Sequence, residues 1–136
     1  MAKLFGVQDM KLFADKECLE FKQKYPDEFK SYGCGPGGVG DFLVPDTVWF
    51  LSIRDACRVH DWAYRHSPGC SDEDRKRHDR ILMNNSLRIV DAKTKWRWLR
   101  MLRYRRCKTY YQMVRAFGGP AYWSERNPDK PVECPS

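Results

Sequence analysis

The run Asp55-Ala56-Cys57-Arg58-Val59-His60-Asp61-Trp62-Ala63-Tyr64 sets a base beside a carboxylate. On a helix, Cys57, His60 and Tyr64 are three and four residues apart and share one face, while Asp61 lies about 100° round from His60. An imidazole there can act as a general base near neutral pH. It needs a carboxylate to hold its far nitrogen. Asp79 suits that role, because it continues by one turn the apolar face of Leu82, Met83, Ser86, Ile89 and Val90. The competing reading is a core histidine with its hydrogen bonds satisfied and Asp61 as a surface charge.

A second feature lies upstream. Tyr32-Gly33-Cys34-Gly35-Pro36-Gly37-Gly38-Val39-Gly40 carries glycines at alternating positions, which lets successive carbonyls converge without side-chain obstruction. Carbonyl oxygens are hard donors that suit Ca²⁺, and the Asp61 carboxylate with water would complete such a site. A plain flexible turn is the alternative.

Helices must position these groups. Residues 4–29 carry Leu12, Phe13, Leu19, Phe21 and Tyr25 among many charges, an N-terminal helical pattern stopped near Pro26. A glycine-rich loop over residues 31–45 follows. Residues 47–66 are helix-compatible and closed by Pro68-Gly69. Ser71-Asp72-Glu73-Asp74 reads as an N-cap with acids in the first turn, opening a helix to about Ala92. A last helix, from about Lys95 to Phe117, bears the stripe Leu99, Leu102, Tyr110, Met113 and Phe117, and Gly118-Gly119-Pro120 stops it. Residues 118–136 read as an irregular tail, and no alternating strand exceeds a few residues. The expectation is one mainly α domain over residues 1–136: two antiparallel catalytic helices with a calcium loop, plus N-terminal and basic C-terminal helices.

The glycine loop, the Cys57-x-x-His60-Asp61-x-x-Tyr64 helix and Asp79-Arg80 together, roughly residues 32–86, resemble the phospholipase A2 family. The resemblance implies a calcium-dependent hydrolase that releases the fatty acid at the sn-2 ester of a glycerophospholipid. In that reading His60 takes a proton from the attacking water, Asp79 orients the imidazole and Tyr64 braces Asp79. Asp61 binds Ca²⁺ with the carbonyls of Gly33, Gly35 and Gly37, and the Gly35 amide helps to stabilise the oxyanion. The family pattern also implies a disulfide between Cys34 and Cys57. There are departures. Ala56, Ala63 and His78 stand where animal secreted members usually carry cysteines, Gly33 stands where an aromatic residue is common, and the run from Gly38 to His60 is longer. They point to a distant bacterial, phage or viral branch.

Charge bears on the partner. The chain of 136 residues has 25 Lys+Arg against 18 Asp+Glu, a net charge of +7, and 14% aromatic residues, which argues against disorder. From Arg88 to Arg115 ten cations face Asp91 alone, with Trp96, Trp98 and Tyr104 interleaved. Arg97, Arg100, Arg103, Arg105 and Arg106 are therefore expected to dock on an anionic phospholipid surface. A non-enzymatic basic domain that binds nucleic acid or such a surface is the alternative function. Structural Zn²⁺ at Cys57 and His60 is disfavoured, since no Cys-x-x-Cys pair exists. Cys18, Cys70, Cys107 and Cys134 allow three pairings, among which sequence does not choose. Asp9 and Lys11 interrupt the apolar N-terminus, so no signal peptide is expected; the longest uncharged stretch, Ser31 to Gly40, is far short of the roughly 20 residues of a membrane span, and action at a membrane would be extracellular or virus- or phage-associated.

Overall fold

The computed structural model describes residues 2–7, 10–33, 45–69 and 71–124. Its element order is β1 (Ala2–Val7), β2 (Met10–Asp15), α1 (Lys16–Lys24), α2 (Pro26–Ser31), β3 (Thr47–Val48), β4 (Leu51–Ser52), α3 (Arg54–His66), α4 (Asp72–Lys93), α5 (Arg97–Phe117) and α6 (Gly119–Ser124). The chain is mainly helical, with two small antiparallel hairpins. Among the described residues, no helix is long and apolar enough to cross a membrane.

Three of the expected elements need correction. The N-terminal helix gives way to a hairpin, β1–β2, in register from Ala2↔Asp15 to Val7↔Met10, before α1 and α2. Its second strand is pinned by Asn85 of α4, whose amide accepts from Phe13 N at 2.8 Å and donates to Phe13 O at 2.8 Å. That buried side chain completes the strand's backbone pairing as a further strand would. The helix expected from residue 47 begins only at Arg54, because β3 and β4 turn tightly first, with Thr47 facing Ser52 and Val48 facing Leu51. The tail expected to be irregular from residue 118 instead forms α6 over Gly119–Ser124, while residues 125–136 lie outside the described residues.

α4 is the central helix. Ser71 caps it reciprocally, its hydroxyl accepting from Asp74 N while the Asp74 carboxylate accepts from Ser71 N, so two otherwise orphaned donors are satisfied. Contacts pair Tyr64 with Arg75 and His60 with Asp79, so α3 and α4 run antiparallel. Arg75 with Val114 and Thr94 with Arg103 set α5 antiparallel to α4 as well. One buried cluster joins Leu12, Val48, Ile53, Leu82, Ile89 and Val114, and binds β2 and the β3–β4 hairpin to the three long helices. A second, with Phe29, Tyr32, Val59, Trp62 and Ile81, seats α1 and α2 against α3. The catalytic-face candidates lie between the long helices.

Candidate functional site

His60 sits in the second turn of α3, whose face from Ala56 to Tyr64 is buried but for Arg58. Burial of that face follows from its apolar members, Val59, Trp62 and Ala63, and it carries two polar groups inside with them, His60 and Asp61 at 6% and 2% exposure. Both find partners, as buried polar groups must. His60 Nε2 lies 2.7 Å from Asp79 Oδ1, and Tyr64 donates its hydroxyl to the same oxygen at 2.7 Å. The aromatic ring of Tyr64 also packs on the imidazole, with centroids 4.3 Å apart.

Asp79 is wholly buried and ionic. Its second oxygen, Oδ2, accepts from Arg115 Nη1 at 3.0 Å, with Arg75 Nη1 at 3.6 Å. Burial pushes the Asp79 carboxyl up, but the hydrogen bond and charge offered by His60, with the bonds from Tyr64 and Arg115, outweigh it and hold the group below the usual carboxylate range. An ionised Asp79 can only accept, so Nε2 of the imidazole carries the hydrogen and Nδ1 is the ring atom able to take a proton. Burial and the adjacent Asp79 charge push the Tyr64 phenol well above its ordinary value, so it stays a donor.

Arg75 and Arg115 are the site residues that spacing did not single out. Arg75 is itself buried and donates to the last carbonyls of α5, Val114 O at 2.9 Å and Arg115 O at 3.0 Å. A guanidinium at a helix C-terminus meets the negative end of the dipole. Arg75 thereby fixes where α5 ends, and Arg115, projecting from that last turn, spans Asp79 and Asp72. One signal was available: Arg75 precedes Asp79 by four residues and so lies on its face of α4.

α6 closes the site from above Tyr64. Tyr122 is fully buried, meets Tyr64 edge to face at 5.2 Å and donates to Gly69 O. Gly118 joins α5 to α6 in a space that admits no side chain. A Cβ there would stand 2.6 Å from Val114 O and 2.8 Å from the Tyr64 hydroxyl.

Asp61 points elsewhere. Its Oδ2 accepts from Gly33 N at 3.2 Å, and its Oδ1 pairs with Arg65 Nε at 2.9 Å. The start of the glycine loop therefore reaches the helix that bears His60. Gly35 and Gly37, expected to share the loop site, and Cys34 lie outside the described residues, as do Cys70 and Cys134. Cys57 takes part in a disulfide, whereas Cys18 and Cys107 are buried free thiols pushed up to about 12 by desolvation. The expected Cys34–Cys57 pairing itself falls outside the described residues. Among those residues no group of three or more His, Cys, Asp and Glu side chains could hold a metal.

The five expected docking arginines part company. Arg97, Arg105 and Arg106 are exposed and Arg100 is half-buried, donating to Thr94 O at 2.7 Å. Arg103 is buried and needs correction: it donates to Thr94 Oγ1 and to Trp49 O, both at 2.8 Å, so it ties the hairpin to α5 and is not a docking group.

Comparison with known proteins returns no matching family model, no matching curated protein and no matching solved structure.

Proposed function

We propose that the protein is a calcium-dependent, phospholipase A2-like hydrolase that cleaves the sn-2 acyl ester of glycerophospholipids and releases a fatty acid and a lysophospholipid. The observation that carries this reading is the buried His60–Asp79 pair at 2.7 Å, braced by Tyr64, on the same helix turn as an aspartate joined to Gly33. In this reading α3 and α4 are the catalytic helices and the glycine segment is the calcium loop.

The ester step asks for a base, an acid and an answer to negative charge. His60 Nδ1 accepts a proton from water as that water's oxygen attacks the sn-2 carbonyl carbon. Asp79 stays ionised and stabilises the imidazolium, holding Nε2 in place. His60 then returns the proton to the leaving glycerol oxygen as the C–O bond breaks. The Gly35 amide is assigned to the oxyanion, as the family resemblance implies.

The donor chemistry at Asp61 fits calcium, since a carboxylate and backbone carbonyls are hard oxygen ligands. Asp61 would hold the ion with the carbonyls of Gly33, Gly35 and Gly37. Bound there, it supplies a divalent charge next to the developing oxyanion. Arg65 now neutralises Asp61, so a cation has to displace that guanidinium. The substrate surface that suits the protein is an anionic phospholipid membrane, met by Arg97, Arg105 and Arg106.

Separate roles for neighbouring residues give the test. Asp61→Asn should weaken calcium binding by tenfold or more, read by titration calorimetry, because the proposed site loses its carboxylate ligand. His60→Gln should leave calcium binding intact and remove turnover. Undiminished hydrolysis in either variant contradicts the assignment.

A further inference from the structure

The β3–β4 turn uses the wrong residues for its geometry. Its two-residue loop, Trp49 and Phe50, has φ of 43° and 68°. Both positive values match a type I′ turn, for which Asn-Gly is the favoured pair because L side chains with a bulky Cβ substituent crowd the backbone there. Strain of this kind persists only where surrounding structure enforces it, and it gathers at functional positions. Here the enforcing group is Arg103, whose Nη2 and Nε donate to Trp49 O at 2.8 and 3.3 Å while Nη1 holds Thr94. The guanidinium of Arg106 lies 5.1 Å from the centre of the Trp49 ring.

What this arrangement presents is apolar. Phe50 is 97% exposed and Trp49 is 41% exposed, although neither solubility nor the turn calls for an aromatic there. Thr94, held by the same Arg103, ends α4 two residues before Trp96, so the joint between α4 and α5 lies near the Trp49 backbone. Trp96 and Trp98 are more than half exposed and stack with centroids 6.1 Å apart and planes 9° apart. Exposed Arg97, Arg105 and Arg106 lie on α5, which carries no acid.

We infer that the Trp49–Phe50 tip is a wedge that enters an anionic phospholipid bilayer, with the α5 cations meeting the lipid phosphates around it. Apolar rings at the tip and amphipathic tryptophans beside arginines match the order of acyl, interfacial and phosphate layers. Nucleic acid fits less well. Stacking on successive bases wants several free ring faces, whereas Arg106 covers one face of Trp49, and Trp96 and Trp98 cover one face of each other, which leaves Phe50 as the one uncovered ring at the tip. The inference deepens the lipid reading of the site, but it concerns binding and is tested without turnover.

The experiment is cosedimentation of the intact protein with vesicles of phosphatidylglycerol and phosphatidylcholine, in chelator so that hydrolysis plays no part. Two variants are compared with the parent: Phe50→Ser, and the double change Trp49→Asn with Phe50→Gly. Each should lower vesicle affinity by about tenfold or more, the scale set by burial of one aromatic side chain. The double variant should also match or exceed the parent's melting temperature, because it relieves the turn; a purely structural role for the two rings predicts the opposite. Pure phosphatidylcholine and high salt should each weaken binding. Vesicle affinity unchanged in Phe50→Ser overturns the inference, as does a tip needed instead for self-association or for binding an oligonucleotide. Vesicle binding that holds while hydrolysis fails contradicts the hydrolase reading alone.

Discussion

His60, Tyr64 and Arg115 draw on one carboxylate from three directions, and removing each has a different consequence. Arg115→Gln takes a positive charge from Asp79 Oδ2, so the carboxyl is held less far below its ordinary value. Stability should fall by about 1–2 kcal/mol, the scale of a hydrogen-bonded, partly exposed ion pair, and its loss in acid should begin at higher pH. An acid unfolding midpoint that does not move would show that Arg115 only packs. Asp79→Asn removes the buried charge that Arg115 and Arg75 face, leaving them Asp72 and the α5 carbonyls, and should cost on the order of 3 kcal/mol, read by denaturant unfolding. Because the folded carboxyl titrates below its ordinary value, its contribution is fully present above about pH 4 and fades as pH falls through the folded value. The sequence exposed His60, Asp61, Tyr64 and Asp79 through helical spacing. It concealed Arg115 and Arg103, since nothing in the spacing of ten cations marks two whose partners are 36 and 54 residues away.

At the scale of elements, the connection from α5 to α6 governs the site through Gly118. Gly118→Ala would press a methyl group against the Val114 carbonyl and the Tyr64 hydroxyl. It should destabilise the fold by about 1–3 kcal/mol and lower turnover further than Tyr64→Phe, which removes the hydroxyl and keeps the backbone path. Equal turnover in Gly118→Ala and the parent would contradict the account of this joint. α4 was legible because its start is chemical: Ser71 and the acids behind it announce a cap. The β1–β2 hairpin was not. Leu12, Phe13, Leu19, Phe21 and Tyr25 fall at helix-like spacings across a strand-to-helix junction, and the strand's anchor is Asn85, 72 residues away. The β3–β4 hairpin escaped for another reason: Trp49-Phe50 lacks the Asn-Gly signal that normally reveals such a turn.

Across the whole molecule, charge and chemistry are held on α5. Its first half carries Arg97, Arg105 and Arg106 outward, while Arg115 in its last turn reaches Asp79 inside. One helix thus connects the surface proposed to meet anionic lipid with the carboxylate that holds His60, the proposed base. That link gives the proposed enzyme its coherence, and the hydrolysis itself is the claim on which it depends. The direct measurement is fatty-acid release from mixed phosphatidylglycerol and phosphatidylcholine vesicles carrying a label in the sn-2 chain. The account predicts release of the sn-2 fatty acid with calcium, none with chelator, and a loss of at least about a hundredfold in His60→Gln, the scale of general-base catalysis. Release that persists in chelator or in His60→Gln, or no release by the folded protein with calcium, would contradict it.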